Sequence, residues 1–237
     1  MGKEISRRSF LKTGTAAAIG LSVAPEMLAK KKKKDAAPLP MDRKLKILGV
    51  GVGGRGAAVL NGLKNEEIIG LCDVDWKYAK GVMDKYQKFF PNCKMYNDYK
   101  KMYAELLDQA DAVICGTADH THAIVSAEAL VAGKHVYCEK PLTRTVYESR
   151  LLTKLAAKAG VATQMGNQGA SGEGVRKICD WIWNGEIGEI TKVETFTDRP
   201  IWPQGLERPT ETPAVPSTMN WDAFIGPAPM RPYNPIY

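Results

Sequence analysis

The residues with the clearest chemical meaning lie in a glycine-rich turn at Gly51–Gly56, which has the spacing G-x-G-x-x-G and directly follows an apolar run. Gly51 permits the tight turn, Gly53 lets the backbone approach a pyrophosphate, and Gly56 allows a helix to pack closely on a strand. Asp73 ends the next apolar run, 22 residues after Gly51. A carboxylate there accepts hydrogen bonds from the adenosine ribose and repels a 2′-phosphate. Together these features predict a dinucleotide site that prefers NAD to NADP.

The spacing alone leaves other interpretations open. The glycines of the turn could be required only for close packing, with no ligand bound there. A methyltransferase also places an acidic residue at the end of its second strand. Arg55 is ambiguous as well, because its guanidinium could form a salt bridge with the 2′-phosphate of NADP.

Two further polar segments, Thr117–His122 and Tyr137–Leu142, follow the fourth and fifth apolar runs. A lysine beside a nicotinamide can hydrogen-bond a substrate hydroxyl and help to move its proton as hydride leaves, which makes Lys140 the candidate catalytic residue. On chemistry alone, Lys140 is equally consistent with a surface lysine, and Glu139 with an ion-pair partner. The two histidines of the first segment lack a third ligand and make a poor metal site.

The elements that must position these residues alternate between short apolar runs and amphipathic segments from residue 45 onward. This alternation predicts a parallel sheet with helices on both faces, a doubly wound α/β Rossmann domain over residues 44–166. Gly133 and Gly160 lie where two helices should end in a positive φ. The predicted strands are residues 45–50, 68–73, 94–96, 112–115, 135–138 and 161–165.

The pattern changes after Gly166. One more helix is predicted around Val175–Ile182, and Glu189–Thr197 alternates like a strand. Nine of the 14 prolines then fall between Pro200 and Pro235, which predicts extended loop. We interpret residues 167–237 as the beginning of a second, α+β domain. In it, Trp202 and Trp221 are either core residues of that domain or a sugar-stacking platform.

Charge and cysteine content exclude several classes of function. The first 40 residues hold nine Lys or Arg against three acidic residues, so the other 197 carry 24 positive and 23 negative charges. A nearly neutral body has no electrostatic footprint for nucleic acid. The five cysteines are odd in number and contain no C-x-x-C, which argues against a disulfide framework.

The N-terminus predicts export. Residues 6–12 read Ser-Arg-Arg-Ser-Phe-Leu-Lys and match the twin-arginine signal. The uncharged stretch Thr13–Pro25 has 13 residues, too short for a membrane span but suited to a signal peptide. We therefore expect a signal at 1–29, a Lys/Pro linker at 30–43, the twin-arginine translocation machinery as a partner, and a periplasmic location. The alternative is a chance arginine pair. No integral membrane span is expected.

The sequence resembles the Gfo/Idh/MocA family of nicotinamide-dependent sugar oxidoreductases, and the resemblance extends from about residue 44 to the end. It is carried by Asp73, the loop Asp119–His122 and the segment Gly133–Leu142. The Glu-Lys-Pro sequence within the segment Gly133–Leu142 argues against a methyltransferase. One departure from the family pattern is Ala118, which stands before Asp119 where the family usually has proline. The resemblance implies that Lys140 is the catalytic lysine. It also implies cofactor contacts from Gly51, Gly53, Gly54, Arg55, Gly56, Asp73, Thr117, Asp119, His120, Thr121, His122, Glu139, Lys140 and Asn167.

This resemblance implies an NAD-dependent oxidoreductase that transfers hydride from a ring hydroxyl carbon of a sugar or glycoside. Two alternatives stay open: an NAD-dependent glycosidase that works by oxidation, elimination, hydration and reduction, and a non-catalytic NAD-binding fragment. Family members continue through an open sheet that forms the sugar pocket and the subunit interface. We therefore expect this chain to be incomplete, and the full-length protein to be a homo-oligomer.

Replacing Arg7 and Arg8 together by lysine should keep the protein in the cytoplasm, because the signal is defined by its paired arginines. Cell fractionation measures the outcome, with Lys3→Gln as a control that changes charge outside the motif. A double variant that reaches the periplasm as well as the wild type does would refute the signal.

Overall fold

A computed structural model describes residues 43–199 and 203–237. The predicted signal, almost all of the predicted linker, and Trp202 therefore lie outside the described residues. Two compact units make up the described chain, and each is treated separately below. The first contains residues 43–165 and Val215–Arg231, and the second contains Gly166–Ala214 and Pro232–Tyr237. Neither unit is continuous in sequence, whereas the sequence predicted two consecutive domains with one boundary after residue 166.

The first unit is built on a six-stranded sheet, in the order β3-β2-β1-β4-β5-β6. Every strand pair with a defined register is parallel, so the predicted doubly wound α/β fold is confirmed. After β3 the chain returns to β4, beside β1, which creates the crevice where such sheets bind ligands. The strands are β1 (Lys46–Val50), β2 (Glu67–Cys72), β3 (Lys94–Tyr96), β4 (Ala112–Cys115), β5 (His135–Glu139) and β6 (Thr163–Gly166).

Helices connect the strands and cover the sheet. Side chains from the strands and helices form two buried clusters, as expected for a sheet whose faces are both covered. Gly133 and Gly160 have φ values of 72° and 64°, which confirms their predicted conformation. The helices of the first unit are α1 (Arg55–Asn61), α2 (Lys80–Tyr86), α3 (Tyr99–Leu106), α4 (His122–Val131), α5 (Val146–Ala159) and α7 (Trp221–Ile225), and α6 (Glu173–Trp183) belongs to the second unit.

The second unit contains α6, which confirms the predicted helix. Residues 189–197 form no strand, contrary to their alternating pattern. A strand needs a neighbour to pair its backbone groups, and no strand among the described residues pairs with this segment. The side chain of Phe196 is 97% exposed. Among the described residues, no helix has the length and apolarity that a membrane crossing requires.

Three glycines bring the turn after β1 into backbone contact with the end of β4. Gly51 has a φ of 73°, and a Cβ on it would lie 2.5 Å from the nitrogen of Thr117. A Cβ on Gly56 would lie 2.0 Å from the carbonyl oxygen of Gly51, and one on Gly116 would lie 2.9 Å from the same atom. The turn therefore requires glycine at Gly51 and Gly56, as predicted, and also at Gly116, which the spacing did not reveal.

Gly56→Ala should lower the free energy of unfolding by about 1–3 kcal/mol, because the new methyl group has no space against the Gly51 carbonyl. Gly81→Ala is the matched control, since nothing lies within 4 Å of a Cβ at that helical position, and it should leave stability unchanged or slightly raised. Urea denaturation measures both. Equal stability of the two variants would contradict the packing argument.

Candidate active site

Asp73 lies directly after β2 and binds the backbone of the glycine turn. Its Oδ2 accepts hydrogen bonds from the N–H groups of Val52 (2.9 Å) and Gly53 (2.8 Å), and its Oδ1 accepts one from Asp75 (3.1 Å). The residue is 7% exposed. Burial raises the pKa of its carboxyl, although the three backbone donors oppose that effect. A carboxylate has about four acceptor sites, so capacity remains for a ribose hydroxyl.

Tyr78 lies over the same turn. A Cβ on Gly53 would be 2.6 Å from Tyr78 Cδ1, and one on Gly54 would be 3.3 Å from Tyr78 Oη. The tyrosine is 71% exposed, so its ring covers the turn without being enclosed. It occupies the side of Gly53 on which a side chain would otherwise project. Sequence analysis missed this residue; the available signal was an aromatic side chain five positions after Asp73.

Arg55 and Glu139 connect the turn after β1 with the end of β5. Arg55 Nε donates a hydrogen bond to Glu139 Oε1 at 3.2 Å, and Tyr137 Oη donates to the same oxygen at 3.1 Å. Glu139 is only 3% exposed, and a buried carboxylate requires such partners. The structure thus brings together two predicted cofactor residues that are 84 positions apart.

Lys140 follows β5 immediately and is exposed. Its peptide bond to Pro141 is cis. Across residues 43–199 and 203–237, no hydrogen bond or ion pair engages its ammonium group. The strand order therefore places an unpaired lysine on the sheet edge that also carries the glycine turn and Asp73.

The loop after β4 is held by its own side chains. Thr121 Oγ1 lies 2.7 Å from Thr117 Oγ1 and 2.9 Å from the carbonyl oxygen of Ala118. Asp119 is exposed at the tip of the loop. The threonines therefore fix the loop, and among its predicted cofactor residues Asp119 has the most open side chain.

Both histidines of this loop bind backbone carbonyl oxygens. His120 Nε2 donates to the carbonyl of Phe224 at 2.6 Å. His122 is 1% exposed, with Nδ1 2.6 Å from the carbonyl oxygen of Pro141 and Nε2 3.0 Å from that of Thr117. His122 thereby joins the loop after β4 to the loop after β5, beneath the edge where a cofactor would lie.

The same histidine belongs to a buried cluster with Cys115 and Cys138, whose potential ligand atoms all lie within 4.8 Å of one another. Burial opposes ionisation of Cys115, but a hydrogen bond with the Cys138 thiol and the nearby His122 lower the pKa of Cys115 to about 7. Both ring nitrogens of His122 face carbonyl oxygens, so a metal ion would have to displace a hydrogen bond. These contacts favour a role in packing.

Asn167 belongs to the second unit, where its carbonyl oxygen accepts a hydrogen bond from the N–H of Ala170 at 3.1 Å. Its predicted contact with the cofactor stays a prediction. The other predicted site residues, Gly51 to Lys140, all belong to the first unit.

Comparison with known proteins gives a family match. Residues 44–167 match the model of the oxidoreductase family with an NAD-binding Rossmann fold, Gfo/Idh/MocA. Among curated relatives, inositol 2-dehydrogenase of Salmonella typhimurium is 30% identical over 152 residues, which cover 63% of this chain and 44% of the relative. Glucose-6-phosphate 3-dehydrogenase of Bacillus subtilis is 27% identical over 154 residues, 64% of this chain and 41% of the relative.

A glycosyl hydrolase family 109 protein of Shewanella pealeana is 27% identical over 207 residues, which cover 79% of this chain and 44% of that protein. This chain thus spans less than half the length of each of these relatives.

Solved structures share the fold. The WlbA dehydrogenase of Chromobacterium violaceum, in complex with NADH and UDP-GlcNAcA, has a TM-score of 0.53 and 25% identity, over 64% of this chain and 43% of that one. KijD10, a 3-ketoreductase of Actinomadura kijaniata in complex with TDP-benzene and NADP, also has a TM-score of 0.53, with 24% identity over 62% of this chain and 46% of that one. Since the family model spans just over half of these 237 residues and the sheet has the expected strand order, the chain belongs to the Gfo/Idh/MocA family of oxidoreductases.

Proposed function

We propose that this chain binds NAD(H) and, within a protein of the family's full length, takes part in hydride transfer at a ring hydroxyl carbon of a sugar, polyol or glycoside. One observation carries the proposal. The Asp73 carboxylate is bound to the glycine turn on the same sheet edge that presents the exposed Lys140. A dinucleotide lying across this edge would have its adenosine ribose at one residue and its nicotinamide near the other.

The residues present fit a dinucleotide. The glycine turn leads directly into α1, whose first backbone N–H groups could bind the pyrophosphate, and Asp73 retains capacity for a ribose hydroxyl. When bound, the nicotinamide supplies the hydride acceptor. The chain's own residues hold the adenosine and nicotinamide halves of the dinucleotide in place and keep the nicotinamide next to Lys140.

Preference for NAD over NADP is supported by charge. Asp73 and Asp75 both lie directly after β2, where a 2′-phosphate would meet their carboxylates. Arg55, the residue that could have paired with such a phosphate, donates instead to Glu139 at the end of β5. Since β5 and β2 lie on opposite sides of β1, this ion pair draws the guanidinium away from the adenosine ribose.

Lys140 is proposed to exchange a proton with the substrate hydroxyl. Its ammonium group is unpaired within the described residues, so a hydroxyl can hydrogen-bond to it without displacing an internal partner. A positioned acid–base group contributes typically ~10²–10⁴-fold in rate.

The glycosidase alternative is favoured by one observation. Of the curated relatives reported above, the glycosyl hydrolase family 109 protein matches the longest stretch, 207 residues. Such a reaction returns the hydride within each turnover, so it consumes glycoside without accumulating NADH. A dehydrogenase releases one NADH for each sugar oxidised, and the two stoichiometries separate the alternatives.

Location and assembly also remain proposals. The twin-arginine match at residues 6–12 supports export to the periplasm with the cofactor already bound, because twin-arginine substrates fold before export. A homo-oligomeric state of the full-length protein rests on the family resemblance.

Asp73→Ala should weaken NAD binding about 10- to 150-fold, because it removes a charge-assisted hydrogen bond to the ribose and the acceptor for the Val52 and Gly53 N–H groups. Asp84→Ala is the matched control, since Asp84 is exposed on α2. Calorimetric titration measures both variants. Unchanged affinity of the Asp73 variant would refute the ribose assignment.

Lys140→Met, in a protein of the family's full length, should lower kcat by about 10²–10⁴-fold while NAD affinity stays within a few-fold. Lys154→Met removes a charge from an exposed position of α5 and should leave both quantities unchanged. Turnover is followed with NAD and a panel of sugars and aryl glycosides. Full activity of the Lys140 variant would remove this lysine from the mechanism.

A further inference from the structure

Residues 219–227, named the strap here, return to the first unit and bind the backbone that follows β2 and β3. Met219 forms an antiparallel bridge with Asp75. The N–H of Asn220 donates to the carbonyl of Val74 at 2.8 Å, and its Nδ2 donates to the carbonyl of Asn97 at 3.1 Å. The strap therefore binds the two residues directly after Asp73.

The other end of the strap binds the loop after β4. His120 Nε2 donates to the carbonyl of Phe224 at 2.6 Å, and the two rings meet edge to face at 5.5 Å. A Cβ on Gly226 would lie 2.7 Å from Thr121 Cγ2, and Gly226 has a φ of 53°. Only glycine can follow this path so close to the loop.

Between these ends the strap is internally ordered. Asn220 Oδ1 accepts a hydrogen bond from the N–H of Ala223 at 3.0 Å, and this contact begins α7. The rings of Trp221 and Phe224 stack at 5.1 Å, and Trp221 Nε1 donates to the carbonyl of Arg231 at 2.9 Å. Trp221 is therefore a buried residue of the first unit, not part of a core in a separate second domain.

The order of the strands shows which parts of the sheet edge the strap connects. The strands β2 and β4 flank β1, and the turn after β1 is where the pyrophosphate would lie. A segment that binds residues after β2 at one end and the loop after β4 at the other spans the strand between them. It fixes the position of the backbone after Asp73 relative to the loop after β4.

We infer that the strap completes the adenosine end of the dinucleotide site, by holding the ribose-binding backbone after β2 against the loop after β4, with His120 as the residue that secures it. This inference rests on the NAD binding proposed above and extends the site beyond residues 44–167. A loop that is ordered before binding spares the cofactor the entropy cost of ordering it. His120 thus acts as a positioning residue through the strap.

The test uses the full chain and compares strap variants with a matched control. Asn220→Ala removes the bond to Asn97 and the contact that begins α7. Gly226→Ala pushes the strap away from Thr121. Asn184→Ala is the control, because Asn184 directly follows α6 in the second unit and its bond to Asp180 is made by its backbone N–H.

Affinity for NAD and for ADP-ribose is measured by titration, and amide hydrogen exchange is followed at Val74–Asp75 and at β5. Each strap variant should lose about three- to tenfold in affinity for both ligands. Exchange should become faster after β2 and stay unchanged in β5. The control should match the wild type.

His120 is tested through its coupling to the strap. His120→Leu removes the donor, whereas His120→Gln keeps one and should recover most of the affinity. If His120 acts through the strap, combining His120→Leu with Gly226→Ala should be no worse than the stronger single variant. Additive losses would mean that His120 contacts the cofactor independently, which would overturn its positioning role.

The outcomes separate this inference from the proposed function. A wild-type chain that binds neither NAD nor ADP-ribose would refute the function itself. If the wild type binds NAD and the strap variants bind equally well, NAD binding stands and the strap inference fails. Faster exchange in β5 as much as after β2 would make the strap a general stabilising element and would also overturn the inference.

Discussion

The close approach of the turn after β1 to the end of β4 is the constraint on which the rest of this structure depends. Without side chains at Gly51, Gly56 and Gly116, the turn lies against the backbone of the neighbouring strand. At the same turn, the N–H groups of Val52 and Gly53 donate hydrogen bonds to the Asp73 carboxylate. The shape of the turn that we propose to bind the pyrophosphate therefore follows from a packing requirement.

Around that contact, the polar residues of the site mostly bind other parts of the site. Asp73 binds the turn, Glu139 binds Arg55, and His122 joins two loops through carbonyl oxygens. Buried polar groups are costly unless paired, and here their pairing fixes the loops that surround the crevice. Lys140 differs from them because it is exposed and unpaired within the described residues, as expected of a group that must meet a substrate.

Local signals in the sequence made the sheet and much of the site predictable. Short apolar runs alternating with amphipathic segments identified six strands, and the glycine spacing identified the turn. Contacts between distant residues were less accessible. Tyr78, which lies over Gly53, belongs to no recognisable sequence motif. The roles of His120 and His122 depend on backbone carbonyl oxygens that the fold brings near them. The alternation at 189–197 misled because periodicity indicates a strand only where a partner is present to pair with it.

The strap was missed for a related reason. Its proline-rich surroundings predicted an extended loop, and its own sequence does not indicate which part of the chain it binds. The partner becomes evident only once the sheet is formed, because the segments after β2 and β3 present two backbone carbonyls, those of Val74 and Asn97, that need donors. Asn220 supplies both donors, from its backbone and its side chain. A boundary drawn where the strand pattern ends therefore separates two parts of the chain that depend on each other for their hydrogen bonds.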